Sequence, residues 1–387
     1  MQSVTWVLIC NPENRRQRFF TEALRKQRGK LPVVISYADI LGASNPVEYL
    51  VKKLESIKNQ YIHLKIESPG ESFEVTKALI ILGAREGSKR LDLESAKKLR
   101  YDKGRFKYLK EWYFGYRFLL KEIDCALSCW ARASGRIVRY VNQPTAILNM
   151  LDKYRCQQFL AQRGVATPKL IPVAEDVTTL LDQLRMTKQC SVFIKPKYGS
   201  SATGVIALRV KPDGSKCVAR TSLELSKTDG VVQCYNSLKV RTYHKEKDIA
   251  ALYSTVLEEG AYIEQWLPKP QLKGQNFDLR VVVINGKATH HVTRCSNTPM
   301  TNLHLGNQRG DILHHKSGAF MLKNAYDCAE NVASLSSGAG CFGADIILSS
   351  SRSRAHIIEL NAFGDLLPGI HYQSKDTYET QVDFLPC

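Results

Sequence analysis

Hydrophobic and polar positions alternate along this chain in blocks that predict an α/β order. Residues 4–10 (VTWVLIC) form an apolar run of strand length, Asn11 to Asn14 a turn, and Arg15 to Arg28 a helix stopped by Gly29. Pro32 to Ser36 and Tyr61 to Ile66 read as further strands, and residues 91–134 as strongly helical. After Tyr140-Val141-Asn142-Gln143-Pro144, a turn-and-cap sequence, the pattern predicts one helix to Arg163, ended by Gly164. Strands over Pro168 to Val173, Ser191 to Lys195, Val205 to Val210 and Ala261 to Leu267 follow, with a helix over 176–186 between the first two. Asn276 to Arg280 lead a strand through Ile284, Asn285-Gly286 is a two-residue hairpin turn, and Ala288 to Cys295 returns. A helix over 322–335 precedes two apolar strands, Cys341 to Leu348 and Ala355 to Asn361.

The last two strands should pair as a hairpin. Period-two alternation puts Glu359 and Asn361 on one face, and pairing centred on the connection places Asp345 opposite Glu359. Two carboxylates and an amide oxygen, with no Cys or His, form a donor set for a hard cation such as magnesium, which keeps positions for water and phosphate. The same residues could also simply decorate an exposed hairpin face. Upstream, Lys195 closes a strand beside Gly199-Ser200-Ser201-Ala202-Thr203-Gly204. Such a loop can lay backbone N–H groups over phosphates while the lysine neutralises them, although most small-residue loops are plain turns.

Length and composition narrow the class. At 387 residues the chain suggests two or three domains. Boundaries are expected at 1–140, 141–255 and 256–387. No apolar run reaches bilayer length, and the opening MQSVTWVLIC lacks the basic start of a signal peptide, so a cytoplasmic protein without membrane partners is expected. Eleven cysteines without CxxC spacing read as reduced thiols, and the nine histidines lack metalloprotease spacing, which argues against zinc. A net charge of +18 points to an acidic partner, either nucleic acid or a polyanionic nucleotide with an acidic substrate. Basic and aromatic residues interleave from Arg85 to Glu122. That mixture could stack bases, but better fits an amphipathic helix with buried rings and solvated lysines. The phosphate-loop pattern GxxxxGK[ST] is absent.

The order Asp152-Lys153, Lys195 with its glycine loop, Ile263-Glu264-Gln265-Trp266-Leu267, Asp278-Leu279-Arg280, Arg294, Asn302-Leu303-His304, Asp345 and Glu359-Leu360-Asn361 resembles the ATP-grasp superfamily. It is most similar to the RimK-type glutamate ligases. The segments Asn11 to Arg16 and Ile66 to Glu71, with the ending Asn361 to Asp365, also resemble bacterial ATP-grasp proteins of unassigned substrate.

The resemblance implies an N-terminal open α/β domain followed by a two-part α+β domain that holds nucleotide between two sheets. It implies that Lys153 and Lys195 meet the ATP phosphates, that Gly199, Ser200, Ser201, Thr203 and Gly204 form a lid, and that Glu264, Gln265, Trp266 and Leu267 hold adenine. Asp345, Glu359 and Asn361 would bind two magnesium ions, with manganese as an alternative, and Arg280 and Arg294 would steady the transition state. The family's usual ribose carboxylate is missing from 268–276 (PKPQLKGQN).

The expected reaction joins a carboxylate and an amine, each on a small molecule or peptide, through an acyl phosphate. A kinase on the same fold and a basic nucleic-acid-binding protein are the alternatives. For the acid substrate the candidates are Arg15 and Arg16 after the first strand, Ser68 at an expected helix start, and Asn302 and His304 in the 301–306 loop. Arg15 and Arg16 read otherwise as solvated first-turn helix residues.

Overall fold

The computed structural model describes residues 4–88, 90–200, 202–213, 216–228, 231–349, 354–363 and 367–384. Ser201 of the glycine loop and residues 364–366 after the last hairpin lie outside that set.

The N-terminal part runs β1 (Val4–Cys10), α1 (Arg15–Arg28), β2 (Val33–Ser36), α2 (Tyr37–Gly42), α3 (Pro46–Glu55), β3 (Tyr61–Ile66), α4 (Phe73–Glu86), α5 (Leu93–Lys97), α6 (Leu109–Ser134) and β4 (Ile137–Tyr140). Its strands are parallel in the order β2-β1-β3-β4. Strand β1 is apolar on both faces because both are covered. Val7 and Ile9 meet a core that includes Tyr116 and Leu120 of α6, while Trp6 and Leu8 share another with Phe20 and Leu24 of α1. Helices α4 and α6 approach closely where neither has a side chain. A Cβ on Gly83 would lie 1.8 Å from the Glu111 carbonyl oxygen, and one on Gly115 1.9 Å from that of Leu79.

Next come α7 (Pro144–Leu151), α8 (Lys153–Gln162), β5 (Leu170–Ile171), α9 (Val177–Met186), β6 (Ser191–Pro196), β7 (Ile206–Val210), β8 (Cys217–Thr228), β9 (Val231–Tyr243), α10 (Glu246–Glu258) and β10 (Ala261–Gln265). These strands form an antiparallel sheet in the order β5-β10-β6-β7-β8-β9, whose core takes in Leu180 and Leu184 of α9 and Leu252 and Val256 of α10.

The remainder is β11 (Gln271–Leu272), β12 (Gln275–Ile284), β13 (Lys287–Ser296), β14 (Gln308–Gly310), α11 (Gly318–Leu335), β15 (Cys341–Leu348), β16 (Ala355–Asn361) and α12 (Thr377–Phe384). The third sheet has the order β14-β13-β12-β15-β16, with β11 paired to β12. Phe277, Leu279 and Phe342 of this sheet belong to the same hydrophobic core as Val7 and Ile9, so the first and third sheets share their packing. Asn285 (φ 48°) and Gly286 (φ 80°) make the β12-β13 turn.

The structure departs from the sequence expectation in four places. The helix expected to run to Arg163 breaks at Asp152, whose side chain accepts from the Arg155 N–H of α8 while the Lys153 N–H donates to the Lys197 carbonyl at 3.0 Å. The 91–134 helix is interrupted because Gly104 and Tyr108 take positive φ and residues 104–106 pair with β9. Helix α4 starts at Phe73, capped by Ser72, so Ser68 does not open a helix; its hydroxyl accepts from the Gly70 N–H in a turn. The strand expected over Pro168 to Val173 shrinks to two residues between two prolines, which lack the N–H a ladder needs. Periodicity also left unassigned the long β8-β9 hairpin, α10 and α12.

Candidate active site

Strand pairing builds the charged centre. Antiparallel register sets Arg280 of β12 against Asp345 of β15, Asp278 against Arg294 of β13, and Asp345 against Glu359 of β16. The Arg280 Nε donates to Asp345 Oδ1, its Nη2 lies 3.0 Å from Oδ2, and Arg294 Nη2 approaches that same oxygen at 3.2 Å. Arg294 Nε donates to Asp278 Oδ1 at 2.8 Å. A bulge after Asp345 shifts the β15-β16 ladder, so Ile346 faces Ile357.

Burial and charge oppose one another here. Removal from water would push the Asp345 and Asp278 carboxyls up, but their neighbouring cations prevail and hold both below the usual carboxylate range: Arg280 and Arg294 at Asp345, Arg294 and Lys269 at Asp278. Burial lowers the Lys269 ammonium, an effect partly offset by Asp278 at 2.9 Å, and Thr301 Oγ1 is 2.6 Å from the same nitrogen. Lys269 and Thr301 were not among the sequence-based candidates, and Asp278 entered only within the Asp278-Leu279-Arg280 motif, with no role of its own. The available signal was Asp278, two residues before Arg280 on the same strand face; Lys269 stands in the stretch that lacks the expected ribose carboxylate.

A narrow cleft opens over this centre. Lys195, Glu264, Gln265, Leu267, Arg294, Asn302, Asp345 and Glu359 all line it, as do Ala202 and Val205 at the glycine loop. Phe193, Met300, Ile347 and Ile358 give one part of the wall an apolar surface. The cleft thus combines apolar walls with a buried group of three cations and two carboxylates, an arrangement suited to a flat apolar body carrying an anionic tail.

Two further ion pairs border it. Lys195 Nζ sits 2.5 Å from Glu264 Oε1, and burial raises the Glu264 carboxyl despite that lysine. Lys153 Nζ sits 2.5 Å from Glu359 Oε1, which brings Lys153 to the hairpin although it is not part of the cleft wall. Assigned from its hydrogen bonds, the Asn361 amide places nitrogen 3.1 Å from Glu359 Oε1 and oxygen 3.2 Å from Arg280 Nη2.

Glu359 and Asn361 thus stand beside the Arg280–Asp345 pair, where the side-chain oxygens of Asp345, Glu359 and Asn361 are the hard donors, those of Asp345 already engaged by Arg280 and Arg294. No cluster of three or more His, Cys, Asp or Glu side chains able to hold a metal occurs among the described residues. This donor set fits a hard cation that draws its remaining ligands from phosphate and water.

Other sequence-derived candidates sit apart. Trp266 packs on Phe193 (5.1 Å between ring centroids) under the Arg209 guanidinium (4.8 Å), and it does not line the cleft. Gly199, Ser200, Thr203 and Gly204 belong to the turn between β6 and β7, closed by a Thr203 N–H to Ser200 carbonyl bond of 3.0 Å. Arg15 is exposed, and Arg16 donates to the Phe363 carbonyl at 2.8 Å, just beyond the hairpin. Neither they, Ser68 nor the exposed His304 lines the cleft.

No curated protein matches the sequence. Solved structures share the fold at low identity. A biotin carboxylase-β-γ-ATP complex from Campylobacter jejuni matches with 12% identity and a TM-score of 0.52, over 99% of this chain and 72% of that one. The macrocyclase MdnC bound with precursor peptide MdnA, from Microcystis aeruginosa MRC, matches with 10% identity and a TM-score of 0.50, over 98% and 99%. D-alanine–D-alanine ligase from Bacillus anthracis gives 10% and 0.50, over 99% and 96%. A family model described as YheC/D like ATP-grasp matches residues 147–363, a segment that spans β5 to β16 and all of the cleft. That segment is more than half of the chain, and the protein belongs to the YheC/D-like ATP-grasp family.

Proposed function

We propose that this protein is an ATP-dependent carboxylate-amine ligase, forming an amide through an acyl phosphate and releasing ADP and phosphate. The observation that carries the reading is the convergence of Lys195, Arg294, Asp345 and Glu359 on one cleft with apolar walls. Lys153 and Lys195 neutralise the triphosphate, exchanging their carboxylate partners Glu359 and Glu264 for phosphate oxygens. The N–H groups of Gln265 and Trp266 are engaged by the Lys169 and Ser191 carbonyls, so adenine is met at Leu267 and at the side chains of Phe193 and Met300.

Asp345, Glu359 and Asn361 would hold magnesium, which supplies charge neutralisation to the transferring phosphoryl group. The acid's carboxylate oxygen attacks the γ-phosphorus, the bond to the bridging oxygen breaks, and ADP leaves. The amine nitrogen then attacks the acyl carbon, loses a proton, and phosphate departs. Arg280 and Arg294 are held in place by Asp345 and Asp278 and so are pre-aimed donors for the developing oxyanion. Loss of one such donor typically costs about 3–4 kcal/mol of transition-state stabilisation. The glycine loop shields the acyl phosphate from water.

The substrate class suggested by the related folds is an amino acid or peptide, since one similar structure is a D-alanine–D-alanine ligase and another is a macrocyclase bound with a precursor peptide. The test is ADP and phosphate release with ATP and magnesium against pools of carboxylic acids, with and without amines, and mass spectrometry of products. ADP formation that needs an acid, with an amide appearing only when an amine is present, is expected. Phosphate retained on a hydroxyl without free phosphate would make the protein a kinase. Absence of ADP formation, together with tight salt-dependent binding of nucleic acid, would overturn both enzyme readings.

A further inference from the structure

Residues between α5 and the first turns of α6 lie outside the 147–363 family segment, yet they reach the glycine loop. The Asn236 N–H donates to the Gly104 carbonyl (2.6 Å), the Phe106 N–H donates to the Cys234 carbonyl (2.9 Å), and Arg105 bridges antiparallel to Tyr235. This short stretch lengthens the second sheet at the β9 edge. Its Phe106 side chain, 3% exposed, enters the core beneath that sheet.

The same ring is packed against the glycine loop. A Cβ on Gly204 (φ 75°) would fall 2.3 Å from Phe106 Cε2, so only a glycine lets the backbone and ring meet. A Cβ on Gly199 would be 3.6 Å from Leu109 Cδ1, and the Tyr113 ring stacks on Tyr198 at 4.1 Å and 15°. Phe106, Leu109 and Tyr113 thus back the loop at its end, its beginning and the residue that leads into it. Ala202 and Val205 face the cleft. The backing segment is itself fixed: Arg90 pairs with the buried Glu111 (2.9 Å) and Glu259 (2.7 Å), and Glu259 also accepts from the Leu109 N–H at 2.7 Å.

We infer that Phe106 is a positioning residue of the nucleotide loop, holding it in place at Gly204 from outside the ATP-grasp segment. The inference rests on the proposed role of that loop over the ATP phosphates. A loop ordered only on binding spends part of its contact energy on ordering itself, whereas a loop held beforehand does not. Phe106 therefore acts on nucleotide affinity through the loop, without touching the nucleotide.

The test is calorimetric binding of Mg-ADP to the full chain, with hydrogen exchange of residues 198–205 measured alongside. Phe106→Ala should weaken Mg-ADP about tenfold, or about 1.4 kcal/mol, and speed exchange in the loop. Phe106→Leu should restore most of both. Leu184→Ala, a truncation in the same core on α9, should lower Tm comparably and leave the Mg-ADP Kd unchanged. Gly204→Ala should also weaken binding, and its combination with Phe106→Leu should lose less than the two single changes added together, because the smaller side chain relieves the contact.

Unchanged affinity in Phe106→Ala, or a loss matched by Leu184→Ala, overturns the inference. If Phe106→Ala does not fold, strict additivity of Gly204→Ala and Phe106→Leu overturns it. Failure of the unaltered protein to bind Mg-ADP removes the loop's proposed role and the inference with it. Normal binding by both the unaltered protein and Phe106→Ala removes the inference alone.

Discussion

Arg280 and Asp345 face each other across neighbouring antiparallel strands, and the guanidinium closes on the carboxylate through both Nε and Nη2. Both side chains are more than nine-tenths buried, so neither charge can turn to water if its partner is removed. Arg280→Ala should therefore lower the free energy of unfolding by about 3 kcal/mol, at the lower end for broken buried pairs because Arg294 still faces Asp345. Urea denaturation checks this; a change below about 1 kcal/mol would show that the pair contributes little to the folded state.

Glu359 and Asn361 give the opposite expectation, since both are only partly buried at the end of β16. Glu359→Ala and Asn361→Ala should each keep the fold to within about 1 kcal/mol while abolishing ADP formation, because a ligand set on a rigid hairpin serves the chemistry more than the core. Full turnover by either variant at ordinary magnesium would sink the assignment of these donors.

The two adjacent arginines of α1 should separate. Arg15 is exposed, while Arg16 is bonded to the Phe363 carbonyl just after the hairpin. Arg15→Ala should raise the KM for the acid about tenfold with the KM for ATP nearly unchanged, the pattern of lost binding to one partner. Arg16→Ala should disturb both constants through the hairpin. Steady-state kinetics with Arg15→Ala leaving both constants unaltered would move the acid to Asn302, which does line the cleft.

Acid stability offers a test independent of function. His63 of β3 is buried edge-on to Trp6 (4.9 Å between ring centroids), and burial, with Arg139 and Arg28 nearby, lowers its pKa to about 4. Between pH 6.5 and 4 the unfolded chain binds a proton that the folded chain does not, so stability falls as pH drops through this window. At pH 5 the loss from this group is about 2 kcal/mol, and His63→Phe should remove that part of the decline between pH 7 and 5. Parallel slopes for the two proteins in denaturation curves taken at several pH values would contradict the assignment.

Much of the fold was legible because its strands are bounded by unambiguous turns. Asn285-Gly286 announces the β12-β13 hairpin, and the apolar runs of β15 and β16 fix the register that sets Asp345 against Glu359. What stayed hidden depends on partners far along the chain. Residues 98–108 carry helical neighbours on both sides, yet the open edge of β9 draws residues 104–106 into extended pairing, which no local pattern encodes. Lys269 looks like any surface lysine until Asp278 and Thr301 close over it. Asp152 reads as a mid-helix residue, and only the contact between Lys153 and Lys197 shows why the helix must restart there.

That restart leaves residue 153 attached to two bodies at once. Its amide is bonded to Lys197, at the end of a strand in the second sheet, and its ammonium to Glu359, on the outer strand of the third. A change of angle between those sheets must be absorbed by the side chain that joins them. Lys153 therefore ties the second sheet to the third across the border of the cleft, with its backbone on one and its ammonium on the other.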